Sequence, residues 1–336
     1  SPETEWIPPT HLPDLKDHKE IAIDLETRDP GLKSSGSGSV NGNGEVVGIA
    51  VAVEGWSGYF PIAHEGGGNM DRALVLDWFE EVLHTDATKI FHNAMYDVSW
   101  IRSMGFYIRG GVIDTLIAAS LIDENRWGYA LNALGKQYVG VGKNEKILND
   151  AAKSWGIDPK ADMWRLPAPL VGEYAEQDAV LTLRLWHALQ REISSQDLWD
   201  VFNLETNLFP CLIDMKFKGV RVDAEKANLL KQELIKEEKN IYRGIRKLIG
   251  FDVEIWAAAS IAKAFDEVKL PYDRTEKGAP SFTKNFLATH PHELPKAIAN
   301  AREINKAHTT FIDTIIKHEH NGRIHADINQ IRSDDG

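Results

Sequence analysis

One cysteine stands in 336 residues, so no intrachain disulfide can form and a reducing cytoplasm is the expected setting. That residue, Cys211, falls in the apolar run Leu208-Phe209-Pro210-Cys211-Leu212-Ile213 and reads as a small core side chain rather than a nucleophile. No apolar run reaches the length of about 18 residues that a spanning helix needs, so no membrane partner is expected. The opening Ser-Pro-Glu-Thr-Glu-Trp has neither the basic nor the apolar region of a secretory leader. It also lacks an initiator Met, so a processed or engineered end is expected. No Cys/His cluster suggests zinc. Positive charge is scarce too: the net charge is −12, with −11 in residues 1–190 and −1 in residues 191–336. Taken globally this argues against a nucleic-acid partner, but cations bound among the acids of the first half would invert the local field.

The 43 % hydrophobic content supports sizeable cores, and the length allows two domains. No internal repeat is visible. Residues 19–26, 46–53 and 56–62 read as strands. The Gly/Ser-rich segment 31–44 between the first two is long for a hairpin connection and reads as a mobile surface loop, the alternative being a flap that touches substrate. An amphipathic helix follows at 69–84, then a short strand at 89–92 that feeds a helix closing near Gly105. Helical sequence continues at 114–123, 130–139 and 169–193. Strands first and helices after predict an α/β fold with a mixed central sheet flanked by helices. Ser194-Ser195-Gln196 marks a boundary, beyond which helices are read at 198–217, 224–249 and 294–318. The last two suit an antiparallel pair. Asn321-Gly322 signals a hairpin and introduces a strand at 323–328. The chain then stops at residues 333–336 without a capping element and looks interrupted.

Three segments carry acids: Asp24-Leu25-Glu26-Thr27, His92-Asn93-Ala94-Met95-Tyr96-Asp97 and Tyr174-Ala175-Glu176-Gln177-Asp178. Asp24 and Glu26, two apart on a strand, project from one face. Buried together they would repel, a penalty that a divalent cation removes. Asn93 and Asp97 share one face at the start of a helix. Read alone, Asn93 is an N-cap and Asp97 an acid favouring the helix dipole. Read with the others, Asp97 holds a water on a metal and Asn93 donates to a sugar hydroxyl or phosphate. Tyr174 and Asp178 repeat the one-turn spacing. Four carboxylates from a strand, a strand-to-helix junction and a helix suit a pair of divalent ions roughly 4 Å apart, a standard device for hydrolysing phosphodiesters.

Order and spacing, with Tyr-Ala-x-x-Asp-Ala-x-x-Thr-Leu-x-Leu at 174–185, resemble the exonuclease domain of the DEDD superfamily in its tyrosine branch, over residues 18–193. The histidine of the sister branch is absent. The resemblance implies a ribonuclease H-like fold. It further implies that Asp24, Glu26 and Asp178 ligate one Mg²⁺ or Mn²⁺, and that Asp24 and Asp97, the latter through water, hold a second. Tyr174 would orient the attacking water. With a phenol pKa near 10 it suits positioning better than proton abstraction. The product would be a nucleoside 5′-monophosphate from a 3′ end. Leu25 and Met95, beside the ligands, either pack on terminal bases or belong to the core.

The second half, residues 194–336, resembles the opening of the polymerase domain of family A DNA polymerases. The resemblance rests on residues 209–223, the thumb-tip-like segment 275–282, Arg302, Lys306, residues 310–313 and residues 322–325. It implies a proofreading 3′-5′ exonuclease with a thumb, preceded by an N-terminal extension at 1–17. Single-stranded or frayed DNA and the remaining polymerase domain would be its partners. A monomer is expected, in the cytoplasm of a bacterium or a phage-infected cell. The Thr-Gly-Arg segment, the fingers helix and the palm aspartate motifs do not follow, so no polymerisation is expected of this stretch alone. Asp334 and Asp335 lack the context of palm acids. In the thumb-like region Lys231, Lys236, Lys239, Arg243, Arg246 and Lys247 either track phosphates or form a solvated face. Two alternatives are a self-contained ribonuclease of the same superfamily and a non-catalytic DNA-binding fragment.

Overall fold

The computed structural model describes residues 2–331, so Asp334, Asp335 and the chain end around them lie outside the described residues. These residues form two compact units. The first runs to Gly219 and takes in the chain again from His325; the second is Val220–Ile324. No helix among the described residues is long and apolar enough to cross a membrane.

The first unit contains β1 (Glu20–Arg28), α1 (Gly38–Asn41), β2 (Glu45–Val53), β3 (Trp56–Pro61), α2 (Arg72–Leu83), β4 (Thr88–Phe91) and α3 (Ala94–Ser103). It continues with β5 (Val112–Asp114), α4 (Thr115–Ile122), α5 (Leu131–Leu134), α6 (Lys146–Trp155), α7 (Pro169–Ser195) and α8 (Trp199–Lys218). The sheet order is β3-β2-β1-β4-β5. The first three strands form an antiparallel meander, and β4 and β5 run parallel to β1. This is the mixed α/β sheet expected from the sequence.

Alternation along β1 separates two cores. Ile21, Ile23 and Leu25 face a layer that includes Phe79, Val82 and Trp100 of α2 and α3. Ala22 faces the other way, joining Ala50, Ala52 and Tyr59 beneath α7. Helix α7 starts with a proline in its first turn, where no amide hydrogen is needed. It buries Val171, Ala175, Ala179, Thr182 and Leu185 along one stripe. Helix α8 belongs to this unit: Phe202 stacks on Trp186 of α7, and Phe209 and Ile213 join the opposite core. The boundary read after residue 193 and the edge of the unit at Gly219 therefore do not coincide. Cys211 is exposed, contrary to its reading as a core residue, because α8 buries Phe209, Leu212, Ile213 and Lys216 and turns position 211 outward.

The second unit holds β6 (Val220–Arg221), α9 (Ala224–Ile249), α10 (Ala258–Glu267), β7 (Asp273–Arg274), β8 (Pro280–Ser281), α11 (Lys284–Thr289), α12 (Glu293–Lys306), α13 (Asp313–His318) and β9 (Arg323–Ile324). Its core gathers Ile245, Ile249, Phe265, Leu287 and Ile298. The helix read across 294–318 contains a π-helical stretch at Ala307–Ile312. The Asn321-Gly322 turn forms as read: both residues have positive φ, 50° and 78°, and His320 and Arg323 bridge across them. The strand after it is shorter than expected, two residues that pair with β6.

The segment 31–44 carries a short helix and is fastened by hydrogen bonds. Ser37 caps α1, the Gly38 amide donates to Asp29 Oδ1, and the Asn41 side chain donates to the Gly36 carbonyl. Tyr96 of α3 donates to Asp29 Oδ2; a side chain at position 38 would run into the Asn43 backbone and one at position 44 into the Arg28 carbonyl, so glycine lets the chain close on itself here.

Candidate active site

The acids on β1 face a space made by small neighbours. Asp24 pairs with Ala50 and Glu26 with Gly48 across the β1–β2 ladder. The register shifts just after Glu26, a bulge of the kind that re-aims side chains beside sites. Above this space α7 presents Asp178 and, one turn earlier, Tyr174, both buried. Asp24, Glu26 and Asp178 each offer an oxygen, and these atoms lie within 4.8 Å of one another.

Asp97 arrives from α3. Strand β4 pairs with β1 only as far as Ala22, and beyond it the Leu25 amide favours the ionised form of Asp97. Asp97 is 4 % exposed, and Asp24 and Glu26 both act on its charge. The start of α3 is held by a residue the sequence reading passed over. Asp114, at the end of β5, accepts from the amides of Asn93, Ala94 and Leu116, at 2.9 Å each. It joins two helix N-termini to the sheet and so sets where Asp97 stands. Asn93 occupies the N-cap position at φ 68°, but its side chain makes no capping bond and is exposed.

A second residue without a local signal is Lys143. Its ammonium lies 2.7 Å from Asp178 Oδ2 and 3.3 Å from the Tyr174 hydroxyl, and its side chain is 10 % exposed. It supplies positive charge to Asp24, Glu26 and Asp178 alike.

Electrostatically the site is under strain. Burial, and then the Asp178 carboxylate, push Asp24 up to about 8. Burial and the two neighbouring aspartates hold Glu26 well above its usual range, and burial with Asp24 does the same for Asp97. Asp178 is raised by burial against the opposing pull of Lys143. Burial, then Asp178 and Glu26, raise Tyr174 far above a normal phenol, so its hydroxyl stays protonated.

These features fit divalent cations. The donors are hard carboxylate oxygens with no thiolate or imidazole among them. Asp178 Oδ1 is buried with no hydrogen-bond partner, while Oδ2 takes Lys143. A buried carboxylate oxygen without a donor is costly, and a cation at the centre of the three acids would satisfy it.

The remaining candidates are distributed differently. Leu25, expected beside the terminal bases, is 5 % exposed and lies in the α2/α3 core; the alternation that aims Asp24 and Glu26 at the site turns it away. Met95 is half-buried against the same core. The six basic residues stand on α9 of the second unit. Lys231 pairs with Asp313 at 2.5 Å, Arg246 with Asp252 at 2.9 Å, and Arg243 donates to Asn240. Lys236, Lys239 and Lys247 are exposed.

The 3′-5′ exonuclease family model of DNA polymerase A matches residues 10–194. A DNA-directed DNA polymerase of Pseudomonas phage M6 is 35 % identical, over 98 % of this chain and 51 % of its own length. DNA polymerase I of Pseudomonas aeruginosa is 27 % identical, over 95 % of this chain and 35 % of its own length. The POL domain of Pol1 from M. smegmatis, solved with primer-template DNA and dNTP, superposes with a TM-score of 0.70 at 16 % identity. It covers 95 % of this chain and 50 % of that one. The chain thus spans about half the length of the phage relatives it matches.

Proposed function

The chain belongs to the 3′-5′ exonuclease family of DNA polymerase A, and we propose that it removes nucleotides from DNA 3′ ends with two divalent ions, Mg²⁺ or Mn²⁺. The observation that carries this reading is the meeting of Asp24, Glu26 and Asp178 within 4.8 Å, with Asp178 Oδ1 lacking any partner. Asp24, Glu26 and Asp178 would hold one ion, and Asp24 with Asp97 the other. Such a pair lowers the pKa of an attacking water and stabilises the leaving oxygen.

The chain's own groups do the rest. The protonated Tyr174 hydroxyl orients the water by hydrogen bonding and takes no proton. The uncommitted side chain of Asn93 donates to the terminal sugar or phosphate, and half-buried Met95 packs against the terminal base. A mismatched end frays at lower cost, so selection arises from melting rather than from base reading. Lys236, Lys239 and Lys247, exposed on α9, track phosphates. In this assignment residues 18–193 are the exonuclease domain and residues 194–336 open the polymerase domain, acting inside a bacterial or phage-infected cell.

The test is degradation of 5′-labelled single-stranded and 3′-mismatched DNA. Ladders of shortened products and nucleoside 5′-monophosphates should appear with Mg²⁺ and vanish with EDTA. Asp24→Ala or Asp97→Ala should abolish them; indifference to both substitutions would overturn the reading.

A further inference from the structure

We propose that Lys143 is a positioning residue of this site, which locks Tyr174 and Asp178 into one unit and fixes the direction in which the Tyr174 hydroxyl donates. The inference rests on the exonuclease reading above and adds a residue to it.

The contact is built rather than incidental. Lys143 lies on the connection between the π-helical turn Gly135–Val139 and α6, and that connection is fastened on both sides of the lysine. The Lys143 amide donates to Asn132 Oδ1 of α5 at 2.9 Å. Gln177 of α7 accepts from the Asn144 amide at 2.8 Å and donates to the Gly142 carbonyl at 3.4 Å. Gln177 immediately precedes Asp178. The helix that carries the tyrosine and the aspartate therefore also holds the loop that delivers the lysine. A side chain at 142 would meet the Lys136 side chain and Asn132 Oδ1, the atom that accepts from the Lys143 amide.

Hydrogen-bond bookkeeping then assigns roles. An ammonium has donors only. Lys143 therefore donates to the Tyr174 oxygen and to Asp178 Oδ2. With its oxygen occupied as an acceptor, Tyr174 directs its own proton away from Lys143, and to the attacking water when substrate is bound. Asp178 is held through Oδ2 and keeps Oδ1 free of any hydrogen-bond partner, while one of its oxygens lies within 4.8 Å of those of Asp24 and Glu26. Lys143 thus acts on the reaction through Tyr174 and on the cation through the orientation of Asp178, without ligating anything.

The experiment uses Lys143→Met, Lys143→Arg, Tyr174→Phe and the double variant Lys143→Met/Tyr174→Phe, with single-turnover kinetics on single-stranded DNA and calorimetric titration with Mn²⁺. Wild-type cleavage in Mg²⁺ that stops in EDTA tests the underlying reading separately; its failure ends that reading whatever the variants do. Given an active wild type, Lys143→Met should lower the chemical rate about 10- to 100-fold with KM within about 2-fold, as expected for a lost positioning contact. Lys143→Arg, which keeps a cationic donor, should stay within about 5-fold of wild type. The double variant should lose less than the product of the two single losses, since the residues act as one unit. Mn²⁺ should still bind Lys143→Met, because the three carboxylates that gather within 4.8 Å are all kept. Independent, multiplying losses would overturn the proposal, as would abolished Mn²⁺ binding. If Lys143→Met does not fold, Lys143→Arg decides, and a rate more than about 10-fold below wild type with normal Mn²⁺ binding overturns it.

Discussion

Gly48 and Tyr59 share one volume: a methyl group on Gly48 would fall well inside contact distance of the Tyr59 hydroxyl. That ring lies under the strand pair carrying Asp24 and Glu26, fully buried, with its hydroxyl 2.6 Å from His64 Nε2. It cannot turn aside without breaking that bond. Gly48→Ala is therefore expected to destabilise the protein by about 1–3 kcal/mol, the usual cost of overpacking, and to displace Glu26, its partner across the ladder. Urea unfolding should show a lower midpoint at unchanged slope. A midpoint equal to wild type would mean that the sheet yields freely at this point.

His64 makes the same region sensitive to acid. Its Nδ1 lies 3.0 Å from the Leu166 carbonyl and its Nε2 meets Tyr59, so the neutral ring donates to the carbonyl and accepts from the phenol. Burial lowers it from 6.5 to about 4. Between those values the unfolded chain takes up a proton that the folded chain refuses, so stability is lost as pH falls through this window and is fully present above it. The His64 contribution to the unfolding free energy should drop between about pH 6.5 and pH 4, opposite in sign to that of the raised acids of the site, and His64→Gln should remove it from the profile. Denaturant titrations at half-unit pH steps would check this, and an unchanged slope in the variant would count against it.

The acid cluster should cost stability whenever no cation is present. Burial and Asp178 raise Asp24, and Glu26 is raised in the same way, because the folded chain holds these charges close together out of water. Asp24→Asn removes one of them. In EDTA near pH 7.5 this inactive variant is expected to be more stable than wild type by on the order of 1 kcal/mol, the common trade between a functional site and stability. Millimolar Mn²⁺ should reverse the order by stabilising wild type alone. Differential scanning calorimetry with and without metal measures both. A wild type that Mn²⁺ leaves unmoved would contradict the cation assignment.

How far the site could be read without coordinates depended on whether its signals were local. Asp24 with Glu26, and Tyr174 with Asp178, follow from strand and helix periods, which neighbouring residues already carry. The same alternation places Leu25 in the opposite core, a consequence available from the sequence but not drawn there. Lys143 had no such signal: Val-Gly-Lys-Asn-Glu reads as an ordinary loop, and only its fastening to Asn132 and Gln177 brings it to Asp178. Asp114 looked like a helix start, and its bonds to the α3 amides come from the pairing of β4 with β5. In the segment 31–44 composition speaks for glycine's freedom and says nothing of its contacts. The structure instead uses glycine at 38 and 44 for close approach to the Asn43 and Arg28 backbone, with the Gly38 amide bonded to Asp29.

Asp114 offers a way to perturb the site from outside it. Its two oxygens take three amides, two at the head of α3 and one in α4, and no other side chain caps α3. Burial raises it to about 6 against the lowering effect of those amides, so it is largely ionised near pH 7.5 and favours both helix N-termini. Asp114→Ala leaves the amides of Asn93 and Ala94 unmatched, at an expected cost of about 2–4 kcal/mol. The functional consequence should be specific. Asp97 sits one turn into α3 and depends on that start, whereas Asp24, Glu26 and Asp178 do not. Calorimetry with Mn²⁺ should therefore show one site kept and the other weakened about tenfold or more in this variant. Cleavage should fall in step with the weaker site and recover in part at high metal concentration. Equal weakening of both sites would indicate general unfolding of the sheet edge rather than a shift of α3.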